Sequence, residues 1–176
     1  TVENSRLDVT RAISVNDDVY REFDFPSQQE LSAAYPTSVP SGASGPENLN
    51  DYNQLIANGE GHNYAITQAG EYTIGGGWQN LAYENGQTVV HPYNVYVSVN
   101  GNVTLKRNGN ANFNLYILNG NVTLDSEFGE MGGCLISVAS GATLNDQRDH
   151  IASNYGIKLF NRGTVNTGAY DIGNNA

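Results

Sequence analysis

The sequence predicts a mainly β protein: a right-handed parallel β-helix of about five rungs behind a short α-helical cap. Three observations lead there. The chain is rich in Asn and Gly, with 24 and 20 among 176 residues. Its second half is built of short alternating apolar runs. Those runs recur at a nearly constant spacing, with the same residue types in the same slots. Asn and Gly tolerate left-handed backbone and tight corners better than other residues, so this chain turns often.

Residues 1–24 mix charge with β-branched residues and keep no period, which reads as an N-terminal tether. Residues 25–62 read as a helical cap. Ser27-Gln28-Gln29-Glu30 has the capping-box pattern, with Ser27 as N-cap and Glu30 reaching back. That predicts a helix over 27–35, stopped by Pro36. A second helix is expected over 47–57, with Leu49, Tyr52, Leu55 and Ile56 on one face and Gly59 closing it. Pro36 to Pro46 reads as a loop. Both helices are expected to cover the N-terminal end of an apolar column.

From residue 63 the texture changes to strand, Asn-Gly corner, strand. The copies anchor on Val103, Val122, Ala142 and Val165. An earlier copy runs from Tyr64 to Ile74. A longer excursion, 75–93, separates it from the next. A period near 20 marks a solenoid, because one rung cannot bury its inward side chains without neighbours. The inward set is Val97, Val99, Val103, Leu105, Leu118, Val122, Leu124, Ile136, Val138, Ala142, Leu144, Leu159 and Val165. Asn100, Asn119 and Asn161 are expected to stack as an amide ladder. The competing fold is an array of hairpins, since Asn-Gly between apolar alternations is also a hairpin signal. A hairpin array predicts no constant period.

The wording from Phe25 to Asn175 resembles the β-helical region of surface lipoproteins from Bacteroides-type gut anaerobes. The resembling pieces are 24–27 (DFPS), 75–80 (GGGWQN), 96–105 (YVSVNGNVTL), 142–148 (ATLNDQR) and 170–175 (YDIGNN). The resemblance implies secretion and attachment to the outer cell surface by a lipidated cysteine upstream of Thr1. It brings no catalytic residues. It also implies further rungs, because Tyr170-Asp171-Ile172 reads as the start of another. The expectation is therefore a truncated β-helix over 63–176 whose last rung offers a sheet edge for end-to-end self-association.

Composition narrows the function. Eighteen acidic residues against eight basic give a formal charge of −10, which opposes binding to nucleic acid or anionic lipid. No apolar run approaches the roughly 20 residues that span a membrane. Thr1 to Asp8 is polar and does not read as a signal peptide. Cys134 has no partner cysteine for an intramolecular disulfide and reads as a small packed residue. No zinc-ligand spacing and no Ca²⁺-binding nonapeptide repeat occur, so neither a metal nor another cofactor is expected.

Trp78, Tyr83, His91 and Tyr93 lie in or beside the 75–93 excursion. Exposed aromatics there could stack on sugar faces, since loops on a rigid solenoid carry function. They could equally pack beneath the loop. Asp125, Glu127 and Glu130 could hold a cation or do acid and base work, or form a solvated turn. Asp146, Arg148, Asp149 and His150 could recognise an acidic sugar, or pair among themselves. Asn102-Val103-Thr104 and Asn121-Val122-Thr123 match the glycosylation sequon, which the repeat already explains. The reading is a non-enzymatic surface module for adhesion, binding a glycan or a surface protein. The alternatives are a carbohydrate-active lyase or hydrolase, and a structural spacer of a larger lipoprotein.

Overall fold

The computed structural model describes residues 27–51, 61–75, 81–84, 87–90, 92–108, 113–126, 134–148 and 158–167. One α-helix and ten strands lie in these segments: α1 (Gln28–Ala34), β1 (Asn63–Ile66), β2 (Gly70–Gly75), β3 (Leu81–Glu84), β4 (Gln87–Val90), β5 (Tyr93–Asn108), β6 (Phe113–Leu124), β7 (Leu135–Val138), β8 (Thr143–Asp146), β9 (Lys158–Asn161) and β10 (Thr164–Thr167). The fold is mainly β, and its main sheet pairs its strands in parallel.

The strands fall into five successive layers, each with two arms. First arms pair in the order β1, β5, β6, β7, β9. Second arms pair in the order β2, β5, β6, β8, β10, because β5 and β6 are long enough to supply both. Asn100-Gly101 and Asn119-Gly120 thus lie inside β5 and β6, which pair with each other in parallel on both sides of the corner. Neither dipeptide turns a hairpin. The only antiparallel pair among the described residues is β3–β4, in the excursion, with Leu81 opposite Val90.

Strand alternation sends every second residue inward. Tyr64, Val95, Leu115 and Ile136 stack in one inward column of the first arms; Ile66, Val97, Ile117 and Val138 stack in the next. Val103, Val122 and Leu144 form a column of the second arms. Residues of both arms join one hydrophobic cluster, so the arms enclose a common core. At its first layers the core is aromatic: Tyr93 stacks on Phe113 at 5.7 Å and meets Tyr64 edge-on at 5.6 Å.

Registers correct the sequence alignment. Val122 pairs with Leu144, not with the expected Ala142, and Leu144 pairs with Val165. A tight turn closed by Ala142 N–H donating to Ala139 O at 3.1 Å lengthens that corner. In the first arms, Ile117 pairs with Val138. Ile117 therefore fills the inward slot expected for Leu118, which is half-buried. Leu159 continues the Ile136 column in the outermost described layer and is 40% exposed. Val165 is partly buried against the core.

The amide ladder also forms elsewhere than expected. Asn119 Oδ1 accepts from Gly120 N–H, and Asn161 Oδ1 accepts from Gly163 N–H, so both cap their own corners. The ladder runs instead through Asn63, Asn94 and Asn114, each Nδ2 donating to the preceding Oδ1 at 2.9 Å. Leu135 N–H closes it on Asn114 Oδ1.

The cap is divided between two places. α1 forms with the expected capping box: Ser27 N–H donates to Glu30 Oε2 at 2.8 Å, and Glu30 N–H to Ser27 Oγ at 3.2 Å. It does not cover the N-terminal end of the core. Tyr35, just past its last turn, packs edge-on against Phe160 of the last described layer, with the Arg162 guanidinium 3.9 Å from its ring centroid. Ser44 bridges Tyr64 of the first layer. From the layer of Phe160 to Ser44, which pairs on the outer side of β1, is five layer steps, about 24 Å at sheet spacing. An extended strap from Tyr35 to Ser44 reaches about 30 Å, long enough for that distance. The N-terminal end is covered by 44–50. There Pro46–Asn48 makes one 3-10 turn, Leu49 is fully buried in the core, and Gly75 N–H donates to Leu49 O. The remainder of the helix expected over 47–57 lies mostly outside the described residues, as do the tether and Tyr170-Asp171-Ile172.

Two corner glycines separate strain from crowding. Gly120 has φ +97°, and a Cβ there would lie 2.5 Å from Val99 O. Gly141 has φ +83°, with nothing within 4 Å of a Cβ. Gly141→Ala is expected to cost only the backbone strain, about 1–2 kcal/mol. Gly120→Ala adds a backbone overlap and is expected to cost clearly more. Urea denaturation of the two variants checks this; equal midpoints would refute the crowded corner.

Candidate functional site

The second arms carry an ordered polar face. Val103, Val122, Leu144 and Val165 point inward, so the residues flanking each of them point outward. Registers stack these into two columns. One is Asn102, Asn121, Thr143, Thr164; the other is Thr104, Thr123, Asn145, Asn166. Layers repeat about every 4.8 Å, and the columns lie roughly 6.6 Å apart. Asn121 Nδ2 donates to Asn102 Oδ1 at 3.0 Å, and Asn166 Nδ2 to Asn145 Oδ1 at 2.8 Å. Asn102, Asn121, Thr164 and Asn166 are exposed, and the other four are half-buried. Glu71 continues the second column at the first layer, where it pairs with Lys106 at 2.9 Å. Both partners are well exposed, so this pair adds little stability.

The outward face of the first arms differs. Ala65, Tyr96, Tyr116, Ser137 and Phe160 stack there. Tyr96 and Tyr116 lie ring on ring, 4.7 Å apart and 10° from parallel. Tyr96 and Ser137 are nevertheless buried. The strap meets this column at Phe160 and ends beside β1. Ser44 Oγ and His62 Nε2 are hydrogen-bonded at 2.8 Å where the strap reaches β1.

The residues singled out from sequence are largely not brought together. Trp78, His91, Glu127, Glu130, Asp149 and His150 lie outside the described residues. Tyr83 lies on β3, its backbone opposite Thr88. Tyr93 is a core residue, 2% exposed, with its hydroxyl donating to Gly75 O at 3.3 Å. Its ring fills the first layers and offers no surface to a sugar. Asp125 is half-buried at the end of β6, its N–H bonded to Leu105 O.

Asp146 and Arg148 do meet, but inside the protein. Arg148 Nε donates to Asp146 Oδ1 at 2.8 Å and its terminal nitrogen to Oδ2 at 2.6 Å. Both side chains are essentially buried. Asp146 follows Leu105 and Leu124 in one inward column, so the pair stands where an apolar residue stands in earlier layers. Cys134 is a buried thiol in the core. Among the described residues no three His, Cys, Asp or Glu side chains gather as metal ligands, and no helix is long and apolar enough to cross a membrane.

Sequence reasoning noted the Asn-Val-Thr pairs only as repeat wording. The signal was there: an apolar residue between two polar ones, at the same strand position in four copies.

No protein-family model matches the chain, and searches of the curated proteins and of the solved structures found no match.

Removing Arg148 leaves a buried carboxylate without its guanidinium, so Arg148→Met is expected to cost about 3–5 kcal/mol. Asp146→Leu with Arg148→Met continues the Leu105–Leu124 column and is expected to recover most of that loss, read by urea midpoints. A double variant no more stable than the single one would sink this account.

Burial, aided by the neighbouring Tyr96, pushes the Tyr116 phenol from its ordinary value of 10 up to about 12. The folded state thus favours the neutral form. The stabilisation is complete below about pH 10 and is lost as pH climbs toward about 12. Tyr116→Phe is expected to flatten the alkaline fall in denaturation midpoint. An unchanged profile would contradict the burial.

Proposed function

We propose that this chain is a right-handed parallel β-helix working outside the cytoplasm as a non-enzymatic binding module, lipid-anchored at the outer surface of a Bacteroides-type cell. The observation that carries the binding reading is the parallel register itself. It repeats polar side chains in fixed columns on an open face while both arms bury one core. Binding proteins built by repetition present such extended surfaces. The sequence resemblance supports the location, and the formal charge of −10 supports a partner other than nucleic acid or anionic lipid. A glycan or a surface protein fits these conditions.

The enzyme alternative is weakened at its main residues. Asp146 and Arg148 satisfy each other in the interior, and acid–base work needs groups within reach of substrate. The spacer alternative shares the layered fold and differs only in having no ligand. The excursion holding the β3–β4 hairpin, between β2 and β5, is the other place where a ligand could sit.

An immobilised glycan array separates these readings. The purified protein is expected to bind at least one glycan and to release no sugar from it over hours. Absence of binding would favour the spacer, and release of reducing ends would favour the enzyme. A Trp78→Ala variant run alongside reports whether the excursion contributes.

A further inference from the structure

We infer that the Asn/Thr face of the second arms is the binding surface, and that its ligand is a neutral polysaccharide lying across the strands and hydrogen-bonded to several layers at once. This rests on the binding-module reading and assigns it a site and a ligand class.

Four properties of the face carry the inference. The first is order. In the β5–β6 pair the register shifts fall between Val97 and Asn102, and from Asn102 to Leu105 the pairing is unbroken. The same arm stays in register through β8 to β10. The face is therefore a regular lattice of side chains and not a set of loops.

The second is chemistry. Threonine hydroxyls and asparagine amides each both donate and accept, as sugar hydroxyls do. The Asn102–Asn121 and Asn145–Asn166 bonds use one Oδ1 and one Nδ2 per pair. That leaves Nδ2 of Asn102 and Asn145, and Oδ1 of Asn121 and Asn166, directed by the bond beside them. Groups already oriented on paired strands lose little entropy when they bind.

The third is charge. None of the eight residues is ionisable, and the chain as a whole is strongly acidic. An anionic polymer would be repelled by the chain's net charge, and the one charged residue in these columns, Glu71, is already paired with Lys106 and gives a cationic polymer no specific anchor. A neutral polymer meets no such penalty.

The fourth is shape. Alternate residues of a continuous sheet form a face and not a cleft, so a single sugar can touch only one or two layers. Single neutral hydrogen bonds are worth little net in water. A polymer crossing four layers makes each further contact intramolecular, which is how weak contacts add up to useful affinity.

The experiment is a pull-down of the whole chain on insoluble neutral polysaccharides: cellulose, β-1,3-glucan, mannan and starch granules. The variants are Thr104→Val with Thr123→Val, the same positions changed to Ser, and Trp78→Ala. Val keeps the shape and strand preference of Thr while deleting the hydroxyl. Unchanged circular dichroism and thermal midpoint show that the fold is retained. The wild type and the Ser variant are expected to bind, and the Val variant to bind roughly tenfold more weakly, the effect of about two lost hydrogen bonds. Soluble fragments are expected to compete better as they lengthen, with the monosaccharide ineffective. A Val variant that binds like the wild type overturns this site. If Trp78→Ala then loses binding, the module reading survives with its site on the excursion. Failure of the wild type on all four polymers overturns the ligand class, and failure on the glycan array as well overturns the module reading.

Discussion

Parallel pairing between successive layers is the constraint on which the rest depends. A strand paired in parallel on both sides satisfies its backbone groups only when its neighbours hold register. Side chains alternate with a period of two, so a slip of one position would turn the core outward. The corners absorb all irregularity. The steps along the chain from Val103 to Val122, to Leu144 and to Val165 are unequal, yet all four stay in one column. Layers of unequal length remain compatible because the arms are fixed and the corners are not. At Gly120 the corner comes so close to the layer before it that no side chain fits.

The layering of the strands was legible in the sequence because recurrence reports the constraint directly. Apolar alternation in copies of nearly constant spacing leaves few folds other than stacked strands, and the capping box placed α1 to within one position. Register was not legible to the same depth. The third copy has a turn at Ala139–Ala142 that sequence similarity does not count, so Ala142 took the slot belonging to Leu144. A separate register shift between Val97 and Ser98, which skips Leu118, exchanged Leu118 for Ile117. The Asn ladder failed for a related reason: Asn119 and Asn161 commit their side-chain oxygens to neighbouring corner amides. Tyr93 stood as a candidate for sugar stacking or for packing beneath the loop because it sits beside a long excursion; the Phe113 and Tyr64 rings that take it into the core belong to other layers, far from it along the chain. A strap that begins beside the last layer and ends at the first leaves no periodic signal at all.

Asp146 and Arg148 show why a polar motif can mislead. Asp146 closes β8 and Arg148 lies two residues beyond it, so their proximity was written in the spacing. Which way they point was not, because it depends on the register that places Asp146 after Leu105 and Leu124. Once inside, the two charges neutralise each other. The pair belongs to the layering and not to a surface site.

The two outward faces then follow from what each arm can leave uncovered. Stacked Tyr96 and Tyr116 present apolar area that water disfavours, and the strap is tied to that arm at Phe160 and again beside β1. The Asn and Thr columns need no such cover, because their hydrogen bonds are met equally well by water, by each other or by a ligand. No described element packs over them. A face that costs nothing to leave open, repeats with the layers and holds no charge in its four Asn/Thr layers can extend its contacts simply by adding layers. That relation ties any affinity of this face to the number of layers in register, so the regularity that closes the core also sets the reach of the surface.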